Sequence, residues 1–209
     1  MRRLRAAAPS WNAPVVTLMA EQNLGPFRVL LGCLLSLRTK DETTVGAVQR
    51  LFALGKTPQD FLRVPVRKIE RAIYPVGFYR TKARRIREIC QILVERYGGQ
   101  VPADLDELLQ LPGVGRKTAN LVVAKGFGLP GICVDTHVHR ITNRWGYVRT
   151  KSPHETEMAL RACLPRPYWS EINDLLVALG QTICKPLSPL CSVCPVAHFC
   201  ARQGVRRSR

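Results

Sequence analysis

The chain has 209 residues, with 32 Lys and Arg against 15 Asp and Glu, a formal charge of +17. With 46% hydrophobic residues it can bury a sizeable core, and its excess charge calls for a polyanionic partner: nucleic acid first, an anionic membrane surface second. No run of about 18 apolar residues exists, so a transmembrane helix is not expected, and Arg2, Arg3 and Arg5 are not followed by the apolar stretch of a secretory signal.

Residues 1–13 read as a basic, mobile arm, too short before Trp11 to serve as an organelle transit peptide. A short helix is expected over residues 15–22. After the breaker Gln22-Asn23-Leu24-Gly25-Pro26, an apolar helix runs from Phe27 to Leu35. Asp41 is placed to cap a helix over 42–54, with Val45, Val48, Leu51 and Phe52 on its buried side. Short helices follow over Thr57–Leu62 and Val66–Ala72, then an aromatic turn at Tyr74-Pro75-Val76-Gly77-Phe78-Tyr79. Thr81 to Tyr97 is the clearest helix. Ile86, Ile89, Cys90, Leu93, Val94 and Tyr97 form one apolar stripe, and Gly98-Gly99 stops it. Lys82, close to the Phe78 turn, is a candidate phosphate contact.

The centre of the chain is residues 111–140. Asp104 to Leu111 reads as a short helix, which Pro112 cannot continue. Gly113 and Gly115 can take positive φ and leave no Cβ in the way. Arg116 opens another helix, with Ala119, Val122, Val123 and Phe127 near helical spacing. Backbone N–H groups at such a hairpin suit a phosphate, although a lone G-x-G also occurs in plain connectors. Arg116 and Lys117 lie in the first turn of a helix, where cations are disfavoured; breaking a local rule this way points to function. Arg116 can meet a phosphate. A partly buried Lys117 would have its pKa lowered, and a neutral amine can form a Schiff base. Asp135 follows Gly131-Ile132-Cys133-Val134 and is placed to cap the helix 136–145, which ends at Gly146. A capping carboxylate is fixed, ionised and able to stabilise a cation before it.

Helices are expected over His154–Cys163 and Ser170–Ile183. Four of the eight cysteines then crowd together as Cys184-x6-Cys191-x2-Cys194-x5-Cys200. Four thiolates in this space can wrap one metal centre, and zinc and [4Fe–4S] both accept them. Lys185, His198 and Arg202 can present positive charge from this loop. Cys33, Cys90, Cys133 and Cys163 sit in or beside apolar patterns and read as buried free thiols of a reducing compartment. The basic tail Val205–Arg209 reads as disordered. No run of alternating strands occurs, so the fold class is all-α.

The hairpin, Lys117 and the V-D-T-H-x-x-R segment together resemble the helix–hairpin–helix DNA glycosylases, and among them endonuclease III, from about Val29 to Cys200. The resemblance implies a six-helix barrel domain over residues 21–130 and a second helical domain, bearing a [4Fe–4S] cluster loop, from residues 1–20 and 131–209. It makes Lys117 the nucleophile at the sugar C1′ and Asp135 the assisting carboxylate, and assigns the cluster to Cys184, Cys191, Cys194 and Cys200. Arg38, in Leu37-Arg38-Thr39, falls where the family usually has a Gln that fills the gap of an extruded nucleotide. Phe78 falls on the family's apolar wedge. Arg38, Phe78, Lys82, Gly113, Gly115, Arg116 and His137 make up the expected DNA contacts. The implied enzyme is a bifunctional DNA glycosylase/AP lyase of base excision repair. It acts on oxidised pyrimidines in double-stranded DNA, as a monomer, with no membrane partner. The expected location is the cytoplasm and nucleoid, or an organelle or nucleus in a eukaryote. Three rivals stand beside this: a monofunctional glycosylase, against which Lys117 argues; a non-catalytic hairpin DNA binder; and a zinc-stabilised interaction protein.

Overall fold

The structure is a computed structural model that describes residues 1–11 and 25–209; the helix expected over 15–22 lies outside the described residues. Among these residues there are helices and turns and no strand. None of the helices is long and apolar enough to cross a membrane. The chain divides into two compact units: Val15–Leu129, and Met1–Pro14 with Pro130–Arg209.

The first unit contains α2 (Gly25–Ser36), α3 (Asp41–Phe52), α4 (Pro58–Arg63), α5 (Val66–Ile73), α6 (Tyr79–Tyr97), α7 (Leu105–Leu109) and α8 (Arg116–Leu121). Its core includes Leu30, Leu31, Leu34 and Leu35 of α2 with Leu51, Phe61, Ile69, Ile86 and Leu93, all fully buried. Phe27, Phe52 and Phe61 pack edge to face with ring centroids 5.9–6.0 Å apart, the geometry their quadrupoles favour. Helix α4 begins at a reciprocal cap: Thr57 Oγ1 accepts from Asp60 N, and the Asp60 carboxylate accepts from Thr57 N.

Two readings of α3 change. Asp41 lies inside its first turn, and Lys40 takes the cap position with no side-chain bond. Val45 is exposed, while Thr44 and Ala47 are buried. Thr44 can enter the core because its hydroxyl donates to Lys40 O at 3.0 Å, so no polar group is stranded. The helix that begins at Arg116 also differs from a plain α-helix. Its last turn, Val122–Gly126, is wound as π-helix. A Cβ on Gly126 would come 2.9 Å from Pro26 Cα, so glycine permits close packing of this turn on the start of α2.

The second unit contains α1 (Arg2–Ala7), α9 (Thr136–Trp145), α10 (Pro153–Cys163) and α11 (Ile172–Thr182). Leu4, Ile132, Val138, Ile141, Leu160, Ile172, Leu176 and Leu179 share its core. The amino-terminal residues are therefore no mobile arm. Leu4 is 1% exposed, and Arg5 makes a two-pronged pair with Glu171, both bonds 2.8 Å. The carboxy-terminal tail is likewise ordered: Arg209 N donates to Pro189 O and Ser192 N to Arg209 O. Cys33, Cys90 and Cys133 are buried as expected, but Cys163 is exposed, on the last turn of α10.

Candidate active site

The hairpin lies between α7 and α8. Asp104 caps α7 through Oδ1, which accepts from Asp106 N and Glu107 N. The turn closes with Val114 N donating to Leu111 O at 3.1 Å. Gly113 has φ 81°, the left-handed region that favours glycine. A Cβ there would also come 2.5 Å from Arg85 Nη1, so the Arg85 guanidinium lies across the hairpin. Gly115, by contrast, does not use positive φ. It is extended, at φ −96° and ψ 172°, and a Cβ there would meet nothing within 4 Å. The space over the start of α8 is open, where first-turn N–H groups have no intrahelical partner.

Thr118, Ala119 and Asn120 are buried and anchor α8, Arg116 is half-buried, and Lys117 is exposed. The expectation of a partly buried Lys117 is thus corrected: residues 118–120 take the inward face, and 117 falls outside it. Lys117 is near enough to Cys33 to act on its thiol. Burial pushes that thiol up to about 12, and the Lys117 charge pulls the other way.

Two further loops of this unit come together. Arg38 and Phe78 both have left-handed backbones, φ 54° and 58°. Both side chains are exposed, with the Arg38 guanidinium carbon 5.6 Å from the Phe78 ring centroid. Lys82 departs from its expected role as a phosphate contact. It is 6% exposed, and its Nζ donates to Leu35 O at 2.8 Å, Leu37 O at 2.6 Å and Thr39 Oγ1 at 3.3 Å. An ammonium has three protons, and all three are engaged inside the protein.

In the other unit, Asp135 caps α9. Its Oδ1 accepts from His137 N at 2.8 Å and Val138 N at 2.9 Å. His137 is half-buried, with Nδ1 3.1 Å from Arg140 Nη2. A Cβ on Gly180 would collide with that imidazole, so glycine makes the room for it. Arg140 donates onward to Cys184 O at 2.9 Å. Arg144 is buried; it donates to Cys184 Sγ at 3.4 Å, to Lys185 O at 2.7 Å and to Pro186 O.

Cys184, Cys191, Cys194 and Cys200 line one cavity, together with Leu190, Ala197 and Val205. Among the described residues no three Cys, His, Asp or Glu side chains converge tightly enough for a single ion. Four thiols around one cavity match the Cys₄ ligation that both an iron–sulfur cluster and zinc accept. Burial, followed by neighbouring thiols, raises the pKa of Cys194 and Cys200. Arg202 N donates to Cys200 Sγ at 3.3 Å. Main-chain and guanidinium donors near the sulfurs suit an anionic thiolate set.

Residues 31–166 match the family of HhH-GPD superfamily base excision DNA repair proteins, and residues 184–200 match the iron–sulfur binding domain of endonuclease III. The chain is 51% identical over 175 residues to endonuclease III of Thermotoga maritima, with 84% of this chain and 82% of that one aligned. The chain belongs to the endonuclease III family. Endonuclease III-like protein 1 of Bos taurus is 46% identical over 208 residues, covering 94% of this chain and 68% of that protein. A solved trapped covalent intermediate of endonuclease III with DNA matches at 42% identity and a TM-score of 0.78, covering 85% of this chain and 84% of that one. A non-covalent endonuclease III–DNA complex matches equally well. As an endonuclease III, the protein is a DNA glycosylase with AP lyase activity in base excision repair, it binds DNA, and it carries a [4Fe–4S] cluster.

Proposed function

We propose that Lys117 is the nucleophile, acting with Asp135 on oxidised pyrimidines and abasic sites in double-stranded DNA. The observation that carries this reading is the open hairpin: a left-handed Gly113, unobstructed space over Gly115 and an exposed Lys117 in the first turn of α8. Backbone N–H groups and Arg116 hold phosphates there, while Arg38 and Phe78 fill the space left by the extruded nucleotide. The Lys117 amine forms a bond to C1′, the glycosidic bond breaks, and the base leaves with the electron pair and takes up a proton. Asp135 stabilises the positive charge that develops at the sugar. The nitrogen gives up one proton, and its lone pair forms the C1′=N bond as the ring oxygen leaves with the C1′–O electron pair and takes up a proton, which gives a protonated imine. Loss of a C2′ proton breaks the C3′–O bond, releasing the 3′ phosphate by β-elimination. Water hydrolyses the imine and restores Lys117.

Cys184, Cys191, Cys194 and Cys200 are the proposed cluster ligands. The cluster supplies a structural or redox-sensing centre and takes no step in base removal. The enzyme acts as a monomer, on the DNA of the nucleoid or of an organelle or nucleus. The test is borohydride trapping on a duplex with one abasic site. Lys117→Ala is expected to lose trapping by roughly 1000-fold or more while still binding the duplex; trapping at the native level would move the nucleophile elsewhere.

A further inference from the structure

The most unusual cation in the first unit lies outside the chemistry assigned to Lys117. Lys82 extends from the first turn of α6 and reaches the end of α2. There the last carbonyls of a helix lack intrahelical partners and carry the negative end of its dipole. Its ammonium answers both needs, taking Leu35 O and Leu37 O on the two sides of Ser36. The third contact, Thr39 Oγ1, ties this cation to the aromatic turn, because the same oxygen accepts from Gly77 N at 3.1 Å. A Cβ on Gly77 would come 2.6 Å from Arg38 O, so the two loops touch backbone to backbone. Arg38 and Phe78 stand at the crests of these loops, each in the left-handed conformation that a non-glycine residue holds only when its surroundings impose it.

We propose that Lys82 is a positioning residue that locks the Arg38 loop to the Phe78 turn, so that both side chains enter the duplex as one preset unit. This rests on reading Arg38 and Phe78 as the residues that fill the duplex. Lys82 touches neither of those side chains; it acts through the backbone between them. Burial pushes its ammonium down to about 8, while the three oxygens around it favour the charged form. A neutral side chain of similar length cannot satisfy those oxygens. Ordering the two loops only when DNA arrives would take free energy from binding, whereas loops already ordered do not.

The experiment uses the cluster-bearing enzyme and a duplex with a non-cleavable abasic analogue opposite 2-aminopurine, whose emission rises when it is unstacked. At saturating intact enzyme the emission rises. Lys82→Met is expected to bind the duplex yet lose most of that rise, with kcat on a natural abasic duplex falling about 10-fold or more. Thr39→Val keeps Lys82 but removes one acceptor, and is expected to lose a smaller part of the rise; it carries the test if Lys82→Met does not fold. A full rise in both variants overturns the proposal. Arg38→Ala separates the two readings. If Arg38→Ala loses the rise and both loop-lock variants keep it, the duplex-filling reading stands and Lys82 has no part in it. If Arg38→Ala keeps the rise, the duplex-filling reading fails and takes this proposal with it.

Discussion

The hairpin region and the cluster region are both rich in cations, yet they use them in opposite ways. In the unit that holds the hairpin, Lys117 and Arg38 are exposed, one at a helix start and the other on the loop that meets the Phe78 turn. Around the cluster, Arg144 is buried and gives its guanidinium to Cys184 Sγ and to the carbonyls of Lys185 and Pro186. Arg140 adds a bond to Cys184 O. The first set remains available to a polyanion, and the second is consumed in holding a loop. Net charge alone therefore overstates the DNA-facing surface. Lys82 shows the same division within the first unit, as a cation engaged by main-chain oxygens beside cations that are exposed.

The comparison breaks first at the cluster. Cys191→Ser should remove one of the four proposed ligands and abolish the broad visible absorbance of the purified protein. Its second unit should unfold early in thermal scans, because a metal centre that forms only in the folded state contributes folding free energy directly. A coloured, fully stable Cys191→Ser protein would reject Cys191 as a ligand.

Arg144→Met tests the structural cations next. It should cost about 1–2 kcal/mol, since the bonds from a charged donor to Cys184 Sγ and to the carbonyls of Lys185 and Pro186 are lost. Borohydride trapping per folded molecule should remain. If the variant instead loses DNA binding in proportion to salt, Arg144 would belong with the DNA-facing set.

Thiols sharpen the contrast further. On the holoprotein, iodoacetamide followed by mass spectrometry should modify Cys163 first, the exposed thiol outside the cluster set. Burial holds Cys33 and Cys90 at about 12, above the ordinary 9.0. Both stay protonated in the fold after the unfolded chain has begun to ionise. Their contribution to stability is complete below pH 9.0 and is lost as pH rises toward about 12. Denaturation midpoints should fall across that window, and less so in a Cys90→Ala variant compared with its own neutral-pH value. The smallest effect expected is at Thr57→Ala, which removes one half of the α4 cap, at about 1 kcal/mol, read from urea midpoints.

Much of the site was legible in the residues because its signals are local. Pro112, Gly113 and Gly115 punctuate a turn, Asp135 sits where a cap must sit, and the cysteine spacing is contained within 17 residues. What stayed hidden depends on partners distant in sequence. Lys82 looks like any solvated helix lysine until Leu35 and Leu37 are placed beside it, 47 and 45 positions away. Leu4 and Arg5 belong to a core and an ion pair completed near residue 171. Arg209 meets Pro189 and Ser192. Helical periodicity also misjudged Val45, because Thr44 can satisfy its own hydroxyl within the helix and so take the inward place.

The cap at Asp135 has a practical corollary. One oxygen of that carboxylate already receives two backbone protons, and an asparagine amide could receive them nearly as well. An Asp135→Asn change would thus subtract a unit of negative charge at the start of α9 without unravelling that helix, whereas alanine would sacrifice both. Fold and electrostatics meet in one side chain here, yet a single amide can pry them apart.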